Sequence, residues 1–146
     1  MFIFSVLSVA ELEQQRIDLA HWLHTYLDEY GDEEKHILAA LDYAASPQSG
    51  KGGVVALAHQ EGKLVACSVV NHTGMGGYIP EHQLVYLAVQ RDIRGQGLGK
   101  KMLAFTLEQC PGAMALHVEY DNPARFLYAK LGFVNKYAEM RRPTGG

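Results

Sequence analysis

The run from Leu84 to Lys101 constrains this chain more than any other part of it. Leu84–Val89 is apolar and alternates like a strand. A short polar turn follows, then glycines at 95, 97 and 99, then the start of an amphipathic helix. A strand that passes through alternate glycines into a helix is a βα unit whose first helical amides are left bare. Those glycines let successive N–H groups turn inward into a concave nest where the helix dipole is positive, a setting that holds phosphate.

Two familiar phosphate loops do not fit. A dinucleotide fingerprint needs G-x-G-x-x-G, whereas the spacing here is Gly95-x-Gly97-x-Gly99, and no acidic residue lies about 20 positions on to meet a ribose. A P-loop needs glycine four residues ahead of its Gly-Lys pair and a hydroxyl after it. Arg94 and Lys101 stand at those places. What does fit is Arg94-x-x-Gly97-x-Gly99, which resembles the acetyl-CoA pyrophosphate loop (Q/R-x-x-G-x-G/A) of the GCN5-related N-acetyltransferase (GNAT) family. The usual run-up V-x-P-x-x-R-G is matched by Val89, Arg94 and Gly95, with Arg91 in place of the proline.

A second segment, Asp121 to Phe133, resembles the family's later N-x-P-A-R-x-F-Y-E-K-x-G-F pattern. Asn122 is a good N-cap, Pro123 suits a first helical position, and Gly132 terminates a helix. Counting back from Tyr128 puts the family asparagine at Asp121. Counting forward along the preceding strand puts it at Asn122. Leu127 replaces the aromatic that often precedes the tyrosine.

Composition sets bounds. A chain of 146 residues, 48% hydrophobic and 20% charged, is read as a single globular domain spanning 1–146 with a proper core. A formal charge of −3 gives no electrostatic reason to expect nucleic acid as a partner. Cys67 and Cys110 lack metal spacing and a disulfide framework, which points to a reducing, cytoplasmic setting. The opening Met1–Ala10 has no basic n-region and too short an apolar stretch for a signal peptide, so it reads as a first strand. No run approaches the length of a membrane span, so no membrane is expected.

Spacing predicts the other elements. Leu12, Arg16, Leu19, Leu23, Tyr26 and Leu27 recur with a helical period, giving a helix over 11–30. Asp32 is placed to cap a second helix with Ile37, Leu38, Leu41 and Ala45 on its apolar face. Val54–His59 and Leu64–Asn71 flank the turn 60–63 as a hairpin. A loop over 74–77 leads to the strand 84–89. A helix from Leu98 stops before Pro111-Gly112, a strand over 113–118 and a helix over 123–131 follow, and Phe133–Met140 reads as a last strand.

That order is the one the resemblance implies. The expected fold is α+β, three layers α/β/α, with a mixed, largely antiparallel sheet of about six to seven strands. Its central parallel pair, 84–89 and 113–118, splays to take CoA: the acyl-CoA N-acyltransferase fold. The resemblance further implies acetyl-CoA as cosubstrate, no metal, and a homodimer as a common assembly. It assigns main-chain contacts to Leu87 and Val89, a contact to Arg94, and phosphate-directed amides to Gly95, Gln96, Gly97, Leu98, Gly99 and Lys100, with Asn122 and Tyr128 completing the cofactor side. Lys100 and Lys101 either add charge there or are simply solvated.

Direct transfer of acetyl to a primary amine is the expected reaction, the acceptor being a small-molecule or peptide amine. The amine must lose a proton, the thioester carbonyl needs a donor near Val89, and the departing thiolate needs a proton. The resemblance gives the last role to Tyr128, the alternative being a ring that merely packs. For the base the order is His117, then Glu81, then His82. A histidine's ordinary pKa suits the task, and His117 stands either where relatives carry a glutamate base or at a packing position. Two alternative functions are a non-catalytic CoA-binding module and an acyltransferase for longer acyl chains. His21 and His24 share a helix face without a third ligand, which reads as a solvated or interface face rather than a metal site. The acids Asp28, Glu29, Asp32, Glu33 and Glu34 cluster at the junction of the first two helices, a region that, by the resemblance, borders the acceptor site. They either attract a cationic amine or form a solvated helix terminus. Cys67 reads as packed core.

Overall fold

Five strands follow the alternation of the sequence closely enough to form one sheet in chain order, β1 (Phe2–Val6), β2 (Gly53–Gln60), β3 (Lys63–His72), β4 (His82–Val89) and β5 (Met114–Leu116). This computed structural model describes residues 1–144. The first three pairings are antiparallel, and β4 with β5 is parallel. Between them run α1 (Val9–Tyr26), α2 (Glu34–Ala44), α3 (Leu98–Gln109) and α4 (Ala124–Lys130), with single 3₁₀ turns at Asp28–Tyr30 and Arg91–Ile93.

The sheet separates two helical layers. Leu12, Leu19 and Leu23 of α1 and Ile37 and Leu41 of α2 pack with Val55, Leu57, Cys67, Val69, Tyr86 and Ala88 on one face. Leu98 and Met102 of α3 meet Ala56, Ala58, Val65 and Ala66 on the other. Farther along that second face, Leu103 joins Val70, Leu84, the α4 side chains Leu127 and Tyr128, and Leu131 just past the helix. These clusters are the three layers expected. Ser68 and Thr106, both fully buried, hydrogen-bond across the sheet–α3 boundary at 2.7 Å, which keeps two hydroxyls satisfied inside an apolar layer.

Four expectations are corrected. The sheet has five strands among the described residues, not six or seven, because Phe133–Met140 forms no strand: Val134, Tyr137 and Met140 are exposed there. The parallel pair is therefore at the end of the sheet rather than its centre, and β5 covers only Met114–Leu116. Helix α1 begins at Val9 because Ser8 and Glu11 make a capping box, and it ends at Tyr26, before Asp28 takes a positive φ of 55°. Asp32 does not cap α2. Glu33 stands at the N-cap without a side-chain bond, and Asp32 is engaged elsewhere. No helix among the described residues is long and apolar enough to cross a membrane.

Candidate active site

One extra residue in β4 shapes the site. Val69 pairs with Tyr86 and Val70 with Leu84, so Val85 is bulged out of the β3 ladder. Because side chains alternate along a strand, an inserted residue reverses which face the following ones take. Leu84 accordingly packs on the α3 side, while Tyr86 and Ala88 pack on the α1/α2 side. The bulge also sits where β4 and β5 part. Their pairing covers His82–Leu84 against Met114–Leu116 and goes no farther.

Beyond that point the outer edge of β4 is open. Gln90 N–H donates to Val65 O of β3 at 2.8 Å. With the strand period of two, Ala88 and Tyr86 also turn their backbone groups toward β3, and Leu87 and Val89 turn theirs into the gap. Val89 O there accepts from Arg94 Nε at 3.0 Å. The Leu87 N–H and C=O and the Val89 N–H remain for an added strand-like ligand.

The glycine turn completes the slot. Gly97 is the N-cap of α3 in the left-handed region, φ 80°, and the first backbone bond of the helix runs from Lys101 N–H to Gly97 O. Among the described residues the amides from Gly95 to Lys100 have no partner. A bare first turn with a positive dipole is the environment that favours an anion. Gly99 lies where α3 faces α4, with room for a methyl group: a Cβ built on it would lie 3.4 Å from Leu127 Cδ2 and 3.9 Å from Val89 Cγ2. Among the described residues neither Lys100 nor Lys101 makes an ion pair, and Lys101 lies over the Phe2 ring.

Arg94 is placed otherwise than a free phosphate ligand. Besides Val89 O, its guanidinium donates to Asp28 Oδ2 at 2.9 Å and to Tyr26 O at 2.7 Å. Arg91 reaches the other Asp28 oxygen at 2.6 Å and Thr25 O at 3.1 Å, and its guanidinium lies over the Tyr26 ring. Arg91 and Arg94 together hold the Asp28 carboxyl below the usual range, so it stays ionised. The two arginines clip the end of α1 onto the loop, and the loop presents main-chain donors.

Tyr128 is fixed by the way α4 ends. Phe133 N–H donates to Tyr128 O and Gly132 N–H to Ala129 O, with Gly132 at φ 95°: a Schellman motif. Its accompanying apolar contact is Tyr128 against Phe133, ring centroids 5.8 Å apart and edge to face. Burial pushes the phenol up to about 12, so near neutrality it is a donor and never a base. Its hydroxyl has no protein partner among the described residues. At the other end of α4 the N-cap is Pro123 rather than Asn122, and Asn122, one residue earlier, accepts at Oδ1 from Ala124 N–H at 2.9 Å, while the Asp121 main-chain carbonyl accepts from Tyr30.

The three base candidates are differently placed. His117 follows β5 immediately, is exposed, and makes no side-chain hydrogen bond among the described residues. Glu81 accepts from Ala113 N–H at 2.6 Å, so its carboxylate ties the start of β4 to the start of β5. His82 is buried and doubly engaged, with His72 Nδ1 at 3.0 Å and Pro111 O at 2.9 Å. Sequence reasoning did not reach Tyr86, whose hydroxyl donates to Asp32 Oδ2 at 2.5 Å, because the partners are far apart in the chain. His21 and His24 both approach Glu34 Oε1, at 3.0 and 3.6 Å, joining α1 to α2. Among the described residues no group of three or more His, Cys, Asp or Glu is placed to hold a metal ion. Cys67 is fully buried, and burial raises its thiol pKa far above the ordinary value.

A strand splayed from its parallel neighbour beside a bare helix N-terminus leaves an open backbone edge next to a positive dipole. Residues 51–135, more than half of the chain, match the acetyltransferase (GNAT) domain, and the chain belongs to that family. No curated protein matches the sequence significantly. Among solved structures, a ribosomal-protein-alanine N-acetyltransferase from Brucella melitensis biovar Abortus 2308 superposes with TM-score 0.65 at 16% identity, covering 98% of this chain and 99% of that one. An aminoglycoside N-acetyltransferase in complex with CoA gives 0.68 at 17%, covering 99% and 95%. A transcriptional regulator from Bacillus halodurans C-125 gives 0.66 at 15%, covering 98% and 99%. At such identities the likeness is one of fold.

Proposed function

We propose that this protein is an acetyl-CoA-dependent N-acetyltransferase that transfers acetyl directly to a primary amine. The observation that carries the reading is the run of unpartnered amides from Gly95 to Lys100 lying next to the open β4 edge at Leu87 and Val89. The first suits a diphosphate and the second an extended amide chain, and CoA contains both. Bound there, acetyl-CoA supplies an activated acyl group as its thioester.

The protein's own groups do the rest. The amides hold the diphosphate without a counter-charge from Arg94, whose guanidinium is held by Asp28, Tyr26 and Val89. A main-chain N–H at Leu87 or Val89 meets the negative charge that grows on the carbonyl oxygen during attack. Tyr128, protonated and with a free hydroxyl, gives its proton or a hydrogen bond to the departing sulfur. His117 is the favoured base, since its imidazole is exposed and uncommitted whereas Glu81 and His82 are engaged in holding β4 to its neighbours. The acceptor is read as a small-molecule or peptide amine, and a homodimer as the assembly.

A second reading is a non-catalytic CoA-binding module. The structural neighbour described as a transcriptional regulator favours it, because the same fold then serves a protein named for regulation. Calorimetry with CoA and acetyl-CoA, followed by free-thiol release across a panel of amines and with acetyl-, propionyl- and succinyl-CoA, separates the cases. Turnover with acetyl-CoA on some amine supports the transferase. Tight CoA binding without turnover on any amine supports the module. Absence of binding rejects both.

A further inference from the structure

Residues 28–32, between α1 and α2, touch both lips of the cleft. On the β4 side Asp28 accepts from Arg91 at 2.6 Å and Arg94 at 2.9 Å, and Asp32 accepts from the Tyr86 hydroxyl at 2.5 Å. On the β5 side the Tyr30 hydroxyl donates to the Asp121 main-chain carbonyl at 3.2 Å, in the connection from β5 to α4. We propose that Asp28, Tyr30 and Asp32 are positioning residues that hold this segment as a strap across the mouth of the β4–β5 cleft, so that CoA binding and ordering of the strap are coupled. The inference rests on the reading of that cleft as the CoA slot.

The anchors are unequal, and the inequality says which end moves. At Asp28 two guanidinium groups and a carboxylate meet with short, charge-assisted bonds. The same arginines also hold the last carbonyls of α1, Thr25 O and Tyr26 O. Asp28 reaches them from a left-handed backbone, φ 55°, which aspartate tolerates better than most residues. Tyr30 contributes one neutral bond at 3.2 Å. The strap is hinged at Asp28 and latched at Tyr30.

Both ends depend on parts that CoA would fix. A diphosphate on the Gly95–Lys100 amides steadies the loop that carries Arg91 and Arg94, and through them Asp28. An extended chain between the lips sets the separation of Tyr86 from Asp121, which Asp32 and Tyr30 span. Whatever free energy CoA gives to ordering the strap, a closed strap gives back as CoA affinity, since such coupling is reciprocal. Tyr86 faces the α1/α2 layer, so the closed strap covers the thioester end from that face.

The test measures hydrogen exchange over residues 27–33 in the free protein and with saturating CoA, together with CoA affinity by calorimetry. It compares the wild type, Tyr30→Phe and Asp28→Asn. Tyr30→Phe removes the latch and keeps the ring. Asp28→Asn keeps the tolerance for a positive φ and removes the charge. In the wild type CoA should slow exchange over 27–33 by about fivefold or more, the lower end of ordinary couplings. In both variants that protection should largely vanish and the Kd for CoA rise several-fold, with exchange in the α3 core unchanged. A merely structural role would lower the melting temperature and leave the CoA-dependent difference intact, which overturns the proposal. So does unchanged exchange over 27–33 in a wild type that binds CoA. A wild type that does not bind CoA at all rejects the functional reading itself, and this inference with it. If Asp28→Asn does not fold, Tyr30→Phe decides.

Discussion

The imidazoles of His72 and His82 meet Nδ1 to Nδ1 at 3.0 Å, and His82 Nε2 lies 2.9 Å from Pro111 O. A carbonyl can only accept, so His82 carries its proton on Nε2 and accepts at Nδ1 from His72 Nδ1–H. The dyad joins the end of β3, the start of β4 and the connection from α3 to β5, which is the closed root of the cleft. Burial, and then the neighbouring His82, lower the pKa of His72 from 6.5. At His72 the folded protein thus binds fewer protons than the unfolded chain. The contribution of His72 to stability is complete above the unfolded value and is lost as the pH falls through and below about 6.5. Melting temperature should therefore decline from that point downward, and decline less in His72→Gln. A wild-type melting temperature that is flat through this window rejects the argument.

Local chemistry was legible in the chain, and long-range partnership was not. The glycines at 95–99 and the Asn122–Phe133 helix announce themselves because caps, dipoles and left-handed turns are properties of a few neighbouring residues. The match to residues 51–135 spans both. The capping box of Ser8 and Glu11 is equally local, yet the apolar period alone sets the helix start at residue 11 and misses it. By contrast, Asp32 has the chemistry of a cap, yet its carboxylate is taken by Tyr86, far away in sequence. Phe133–Met140 has the composition of a strand, but a strand exists only where another edge receives it. The bulge at Val85 is invisible for the same reason, since it is defined by register against β3.

Gly97 and Gly99 should respond differently to alanine. Gly97 needs a positive φ, so Gly97→Ala should cost roughly 1–2 kcal/mol from the backbone alone and distort the nest. Gly99 is helical, and an added Cβ finds Leu127 at 3.4 Å, an ordinary contact. Gly99→Ala should be nearly neutral in thermal melting, whereas Gly99→Val should push α4 aside and cost about 1–3 kcal/mol by overpacking. Equal losses for the two alanine variants would contradict this account of the turn.

The buried hydroxyl pair offers a stability test away from the site. Thr106 Oγ1 donates to Met102 O at 2.7 Å, so the Ser68 hydroxyl must donate to Thr106. Thr106→Val leaves the Ser68 donor buried and unsatisfied, which should cost about 1–3 kcal/mol in chemical denaturation. Adding Ser68→Ala should restore part of the loss, because both ends of the bond are then gone. Strict additivity of the two substitutions would show that the hydroxyls do not interact.

Tyr128→Phe separates the acid from the wall of the slot. The ring packs against Phe133 in the Schellman turn, and that contact survives loss of the hydroxyl. CoA affinity should then change little, while turnover should fall on the order of 10²–10⁴-fold if the phenol protonates the departing sulfur. The pH profile adds a second constraint. Since burial holds the phenol near about 12, wild-type turnover should show no alkaline limb from Tyr128 below about pH 10. Any alkaline loss below that pH must come from another group. Unaltered turnover in Tyr128→Phe would leave the thiolate to solvent and reduce the tyrosine to a packing residue.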